Sequence, residues 1–321
     1  MKEKIKREDL ANKFIDIHTH ATGINYTNYY LEAFPYCCNI CDLVTNMKLN
    51  NVDYSVTFPI PTNINTKNSP EIDKEIRKTI EKYENHPYFY ENKRLLQEVE
   101  IFGENKILPF VMISLYSKIE EQIESYLELK EEYPIYGFKI NPSTDGTNVK
   151  TILNNKVLKN FFEKEKLPII LHCSTDEYSR GDYIFDVVKE LKTVRFCIAH
   201  AARLNEKVFN ELNNINNLWI DCSPLIKLFE VLKKQNSEFF IKNKINSCTE
   251  FIEFLYNNFE NKTLFGTDYP WSYCGYLESN INNNLSNIYE DNIKILKKTP
   301  GAIKNKIANK NCINYLYGKE Y

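Results

Sequence analysis

Charge of one sign is missing from this chain: 41 basic and 43 acidic residues among 321 leave a formal net charge of −2. That balance offers no basic field for nucleic acid and no polyanionic character, so the implied partner is a small molecule, not a polymer. Long apolar runs are missing too. No window approaches the roughly 20 consecutive apolar residues of a membrane span, and the opening "MKEKIKREDL" has no apolar segment of the secretory kind. The expectation is a cytoplasmic protein that does not enter membranes. No stretch rich in Pro, Gly or Ser separates one part of the chain from another and no internal repeat is visible, so residues 1–321 read as a single domain.

Cysteine is not scarce, at nine residues, but what normally accompanies disulfides is absent. Disulfide frameworks belong to small secreted domains, and this chain is large. Cys173, Cys197, Cys222 and Cys274 lie in or beside apolar runs, where a reduced thiol behaves as a small hydrophobe. The stretch "CCNIC" (Cys37, Cys38, Cys41) contains a CxxC. No second Cys or His pair lies nearby to close a tetrahedral site, and no thioredoxin-like βαβ pattern surrounds it, so these read as loop thiols.

What is there is a regular alternation. Apolar runs of strand length occur at 14–20, 52–60, 106–114, 135–142, 168–174, 194–202, 218–224 and 263–271. Most are continuously apolar, as strands covered on both faces are. Between them, Ile119, Ile123, Tyr126 and Leu127, then Ile184, Val187, Val188 and Leu191, then Val208, Leu212 and Ile215 recur with helical period. Eight such βα units predict a (β/α)8 barrel, with a doubly wound open sheet as the alternative. No GxGxxG follows any strand, which weakens the dinucleotide-binding form of that alternative. The connection after the first strand carries Tyr26, Tyr29, Tyr30, Phe34 and Tyr36, which could wall a pocket, pack as a surface loop or form a homo-oligomer contact.

Histidine is the scarce residue that decides the reading. Of five, His86 precedes a proline in a charged connection and reads as a surface residue. The other four fall at or near the C-terminal ends of predicted strands: His18 and His20 on the first, His172 on the fifth, His200 on the sixth. Asp268 sits at the same level of the eighth. In a (β/α)8 barrel those ends converge on one mouth, where catalysis occurs. With period-two alternation His18 and His20 share a face, with Asp16 below them on it. Two imidazoles, a third from the fifth strand and a carboxylate suit Zn²⁺, with Mn²⁺ or Fe²⁺ as alternatives. A bound zinc ion can lower the pKa of its water from 15.7 to about 7 and so supply a nucleophile at neutral pH. An HxH alone would be weak evidence; the coincidence on four strands is what implies a metal site.

These elements, "DIHTH", "GFKINP", "ILHC", "AHAAR" and "LFGTDYPW", together resemble the amidohydrolase superfamily. More closely, they are similar to its amidohydrolase-related branch, which includes the aminocarboxymuconate-semialdehyde decarboxylases. The C-terminal "IANKNCINYLYG" resembles the helix that ends many such chains. The resemblance implies that His18, His20 and His172 ligate one divalent metal, usually zinc, with Asp268 completing the site and accepting a proton from the attacking water. His200 would polarise a carbonyl, act as acid or base, or bind a second metal. Lys139 would bridge two metals if carboxylated; otherwise it pairs with Asp16 or a substrate carboxylate. "HAAR" and "GFKINP" depart from those decarboxylases, which shifts the implied reaction towards hydrolysis of an ester, lactone or amide. Non-oxidative decarboxylation and an inactive ligand-binding barrel are the alternatives. Arg203 is a candidate for a substrate carboxylate or a solvent-facing arginine, and Tyr269 and Trp271 for the pocket wall.

Overall fold

A computed structural model describes residues 4–21, 39–60, 87–270 and 288–319 of the chain. Tyr26 to Tyr36, Cys37, Cys38, His86, Trp271 and Cys274 lie outside those residues. Eight parallel strands pair in sequence order: β1 (Ile15–Ala21), β2 (Tyr54–Pro59), β3 (Ile107–Met112), β4 (Gly137–Ile140), β5 (Ile169–Leu171), β6 (Phe196–Ile198), β7 (Leu218–Asp221) and β8 (Thr263–Leu264). The chain beyond β8 returns to β1. Ile17 N donates to Phe265 O at 3.0 Å, Asp268 N to His18 O at 2.8 Å and His20 N to Tyr269 O at 2.6 Å. These bonds close the barrel, and the open-sheet alternative falls away.

Two apolar layers explain why the strands read as continuous runs. Ile15, Ile17, Val56, Phe58, Leu108, Phe110, Ile170, Cys197, Trp219 and Leu264 form the interior cluster. Their neighbours in sequence, such as Val111, Phe138, Ile169, Leu171, Phe196 and Ile198, pack outward against helices. Each such side chain, fully buried, is worth about 1.5–3 kcal/mol. The floor is closed by the C-terminal segment, whose Cys312, Ile313, Tyr315 and Leu316 join the interior cluster with Leu10. Buried Asn309 fixes that floor by donating to Leu10 O at 2.7 Å and Lys13 O at 2.6 Å.

The main helices are α1 (Ile40–Asn50), α2 (Phe89–Phe102), α3 (Ile119–Glu132), α4 (Lys156–Glu165), α5 (Gly181–Glu190), α6 (Glu206–Glu211), α7 (Leu225–Gln235), α8 (Cys248–Asn258) and α9 (Ile288–Lys298). The chain's many asparagines serve here as N-caps: Asn39, Asn155 and Asn205 each accept a backbone N–H in the first turn of α1, α4 and α6. In α5 the expected face holds, with Ile184, Val187 and Val188 buried and Leu191 at its C-cap buried too. In α3 it is rotated: Ile119, Gln122, Tyr126 and Leu129 are buried, whereas Leu127 is 43% exposed. The polar Gln122 takes an inward position because it bonds Ser114 N at 2.8 Å and Ser117 O at 2.7 Å, a demand that apolar periodicity does not register. Among the described residues no helix is long and apolar enough to cross a membrane.

Candidate metal centre

β1 brings two imidazoles to the barrel mouth because its pairing slips. Its register with β2 shifts between Asp16 and Thr19, so Ile17 and His18, adjacent in sequence, both face inward, and His20 follows two residues on. His18 and His20 pack against the Phe58 ring, with centroids 4.9 and 4.4 Å away. The slip removes Asp16 from the face it was expected to share with them. Its carboxylate accepts instead from Thr267 N at 3.0 Å, Thr267 Oγ1 at 2.7 Å and His18 N at 3.2 Å, and so ties β1 to the chain after β8. Burial pushes its pKa up to about 7 against those bonds.

Opposite His18 lies Gly266, where a Cβ would stand 2.6 Å from the His18 Cβ and 3.1 Å from the Ser223 Cβ. The missing side chain lets the chain after β8 run close enough to deliver Asp268. That residue sits in the left-handed region, at φ 54°. Its Oδ1 lies 3.3 Å from Nε2 of both His18 and His20. Burial would raise its pKa, but His18, His20 and His200 hold it well below the usual carboxylate range.

β6 ends in an unusual turn. His200 to Leu204 all have positive φ, at 60, 48, 48, 52 and 56°. Such a backbone costs an ordinary L-residue roughly 1–2 kcal/mol. The turn places buried His200 beside His18, with ring centroids 5.4 Å apart, and brings His200 Nε2 within 3.1 Å of His172 Nδ1. Lys139, 1% exposed on β4, sets its Nζ 3.2 Å from His18 Nε2 and 4.4 Å above the Phe58 ring. Burial lowers its pKa to about 8 although Asp268 and Asp221 pull it upward.

Two residues of the centre went unrecognised in the sequence, Asp221 and Ser223. Asp221 Oδ2 stands 2.9 Å from His18 Nδ1, and Ser223 O accepts from His200 Nδ1 at 2.7 Å. The signal was present in "LWIDCSP": an acid closing an apolar strand, at the level already occupied by histidines.

Each of three histidines thus has an acceptor at Nδ1: Asp221 for His18, the Pro59 carbonyl at 3.1 Å for His20, the Ser223 carbonyl for His200. Nε2 of each ring therefore faces the interior, where that of His18 also meets Lys139 Nζ at 3.2 Å and that of His200 meets His172 Nδ1 at 3.1 Å. Burial lowers the pKa of both His20 and His200 to about 4, so both are neutral at pH 7. Burial and Lys139 push His18 down, but Asp221 and Asp268 outweigh them and raise it. Donor atoms of His18, His200 and Asp268 all lie within 4.8 Å of one another. His20 joins them through the shared Oδ1 of Asp268, while His172 reaches them by way of His200. The grouping differs from the expected His18, His20, His172 and Asp268 in that His200 takes the inner position and His172 stands behind it. Acceptor lone pairs and a carboxylate converging in a buried space fit a divalent cation.

The other candidates lie elsewhere. Tyr269 is 4% exposed and packs in the helix layer, its ring 5.3 Å from that of Tyr289 and its hydroxyl accepting from Asn46 Nδ2 at 3.2 Å. Arg203 is half-buried in the left-handed turn. Its Nε is buried and has no hydrogen-bond partner among the described residues. Cys41 is exposed on α1, and Cys173, Cys197 and Cys222 are buried free thiols.

No family model and no curated protein matches the chain. Solved structures do. A probable 2-pyrone-4,6-dicarboxylic acid hydrolase from Acinetobacter baumannii, with citric acid bound, aligns with 96% of this chain and 100% of its own at 16% identity and a TM-score of 0.57. The 2,6-dihydroxybenzoate decarboxylase from Rhizobium aligns with 95% and 98% at 12% identity and a TM-score of 0.60. The 5-carboxyvanillate decarboxylase from Novosphingobium aromaticivorans, complexed with manganese, aligns with 98% and 99% at 10% identity and a TM-score of 0.62. The chain has their fold. At these identities the likeness extends to the barrel and its connections over nearly the whole length.

Proposed function

We propose that the chain is a metal-dependent hydrolase of the amidohydrolase superfamily, acting on an ester, lactone or amide carbonyl of a small carboxylated molecule. The observation that carries the reading is the convergence of imidazole Nε2 atoms on Asp268, a buried N/O donor set of the kind that holds a divalent cation. His18, His200 and Asp268 would hold the ion, with His20 beside them. Zn²⁺ fits this N/O set, with Mn²⁺ or Fe²⁺ as alternatives. When bound, such an ion supplies a Lewis acid and acidifies water.

The rest falls to the side chains. Asp268, kept ionised by its histidines, is the acceptor for the proton of the attacking water. His172, held neutral by burial and not itself among the residues holding the ion, is in the right state to take up a proton and pass it towards the leaving group. Arg203, with its unpartnered buried Nε, is suited to a substrate carboxylate, and a guanidinium pairs with one bidentately.

Non-oxidative decarboxylation is the second reading, favoured by the two decarboxylases that share the fold. Metal quantification with an activity screen over lactones, esters, amides and cyclic carboxylic acids tests both. Hydrolysis lost on metal stripping and in Asp268→Asn supports the first; carbon dioxide release without water incorporation supports the second. Hydrolysis that survives both treatments overturns the metal-dependent reading.

A further inference from the structure

We propose that Asp221, acting with Ser223, is the positioning residue that decides which nitrogen of His18 and of His200 faces the centre. The structure reaches both histidines from one carboxylate. Asp221 is fully buried at the end of β7. Its Oδ1 accepts three donors: His200 N at 3.1 Å, Ser223 N at 3.0 Å and Ser223 Oγ at 2.7 Å. Its Oδ2 accepts from His18 Nδ1 at 2.9 Å and Cys197 Sγ at 3.6 Å. Ser223 Oγ, its proton committed to Asp221, also faces His18 Nδ1 at 3.0 Å with a lone pair. Both neighbours of that nitrogen are acceptors, so His18 carries its proton at Nδ1.

The same unit seats His200. Asp221 holds the backbone N–H at the start of the left-handed turn, and the Ser223 carbonyl, an acceptor only, takes Nδ1–H of the ring at 2.7 Å. The "DCS" segment of β7 therefore points two Nε2 lone pairs into the mouth. Carboxylate and carbonyl partners of ligating histidines do this work in metal sites generally, by fixing tautomer and ring orientation. That second consequence rests on the metal reading above, whereas the tautomers do not.

Asp221→Asn tests the idea without changing shape. Three donors converge on the Oδ1 position, so the amide oxygen of the variant must lie there. Its NH₂ then falls at the Oδ2 position, against His18 Nδ1, which can no longer carry a proton. His18 is driven to the Nε2–H tautomer and its inward lone pair is lost. In the metal-free full chain, at a pH high enough for His18 to be neutral despite its raised pKa, nitrogen-resolved histidine NMR should show His18 and His200 both as Nδ1–H in the wild type, and His18 as Nε2–H in Asp221→Asn. Zn²⁺ affinity, measured by competition with a chromogenic chelator, should fall roughly 10- to 100-fold in the variant. Ser223→Ala, which leaves Asp221 in place, should keep the His18 tautomer and lose affinity only at the lower end of that range.

Either histidine found as Nε2–H in the wild type overturns the proposal, even if Asp221→Asn fails to fold. So does an Asp221→Asn protein with the wild-type tautomer and affinity. A wild type that takes up none of Zn²⁺, Mn²⁺ and Fe²⁺ while showing both Nδ1–H tautomers sinks the metal reading and leaves the positioning role standing.

Discussion

Gly266→Ala adds one methyl group and removes no ligand, charge or hydrogen bond, yet it should disable the centre. The new Cβ would stand 2.6 Å from the His18 Cβ, 3.1 Å from the Ser223 Cβ and 3.3 Å from His18 N. Ordinary carbon–carbon contact is about 3.5–4.0 Å, so His18 and the chain after β8 must separate by about 1 Å. Neither can do so freely. The two are laced by Ile17 N to Phe265 O at 3.0 Å and Asp268 N to His18 O at 2.8 Å, and Gly266 lies between those bonds. Overpacking of this kind costs about 1–3 kcal/mol. The chemical consequence is larger, because a metal centre tolerates displacements of only about 0.5 Å in its ligands. Zn²⁺ affinity should drop at least about tenfold. Denaturant unfolding and chelator competition, run on Gly266→Ala beside Gly301→Ala, make the assay. Gly301 has no atom within 4 Å of an added Cβ, so its variant should match or slightly exceed the wild type in stability. A folded Gly266→Ala protein with wild-type Zn²⁺ affinity would refute the claim that close approach at this position builds the centre.

Two further outcomes follow from buried residues that are not themselves ligands. Asp145 is fully buried, accepts from Tyr88 Oη at 3.0 Å and Leu115 N at 2.8 Å, and burial raises its pKa from 3.8 to about 7. An acid whose folded pKa is raised stabilises fully below its unfolded pKa, near 4, and that contribution is lost as pH rises through about 7. Asp145→Asn should therefore gain on the wild type between pH 4 and 7, by at least about 1.4 kcal/mol, the value of one pKa unit; parallel urea-stability curves would contradict this. In the left-handed turn, Ala202→Gly should be within about 1 kcal/mol of the wild type. Relief of roughly 1–2 kcal/mol of backbone cost offsets about 0.8 kcal/mol of lost methyl burial and the greater freedom of unfolded glycine. A loss of 2 kcal/mol or more would show that the turn carries no such cost.

The barrel was legible because strands buried on both faces leave an unmistakable mark. All eight apolar runs became strands, and four histidines and Asp268 reached one mouth because parallel connectivity leaves no other place for strand ends. What the pattern concealed was parity. A strict period of two puts Asp16 under His18, whereas the slip between Asp16 and Thr19 turns it away; a one-residue slip leaves no trace in hydrophobicity when both faces are apolar. Gln122 hid the face of α3 in the same manner, because its inward place is set by hydrogen bonds. Asp221 is hidden for a related reason: its partners His18, Cys197 and His200 lie on other strands, so it has no spacing motif of its own.

The left-handed turn and the β7 acid belong to one arrangement. The strain of His200 to Leu204 would not persist unless something held its first residue. Asp221 holds it through His200 N and Ser223 O through the ring, while Oδ2 of the same carboxylate orients His18. The alanines at 201 and 202, where glycines would adopt the same backbone at little cost, make that hold more necessary in this chain, since the turn has less intrinsic preference for its shape. Asp221→Ala, which removes both oxygens, should therefore disturb His200 as well as His18. Asp221→Asn separates the two effects, because its amide oxygen keeps the His200 N anchor while its NH₂ changes the His18 tautomer.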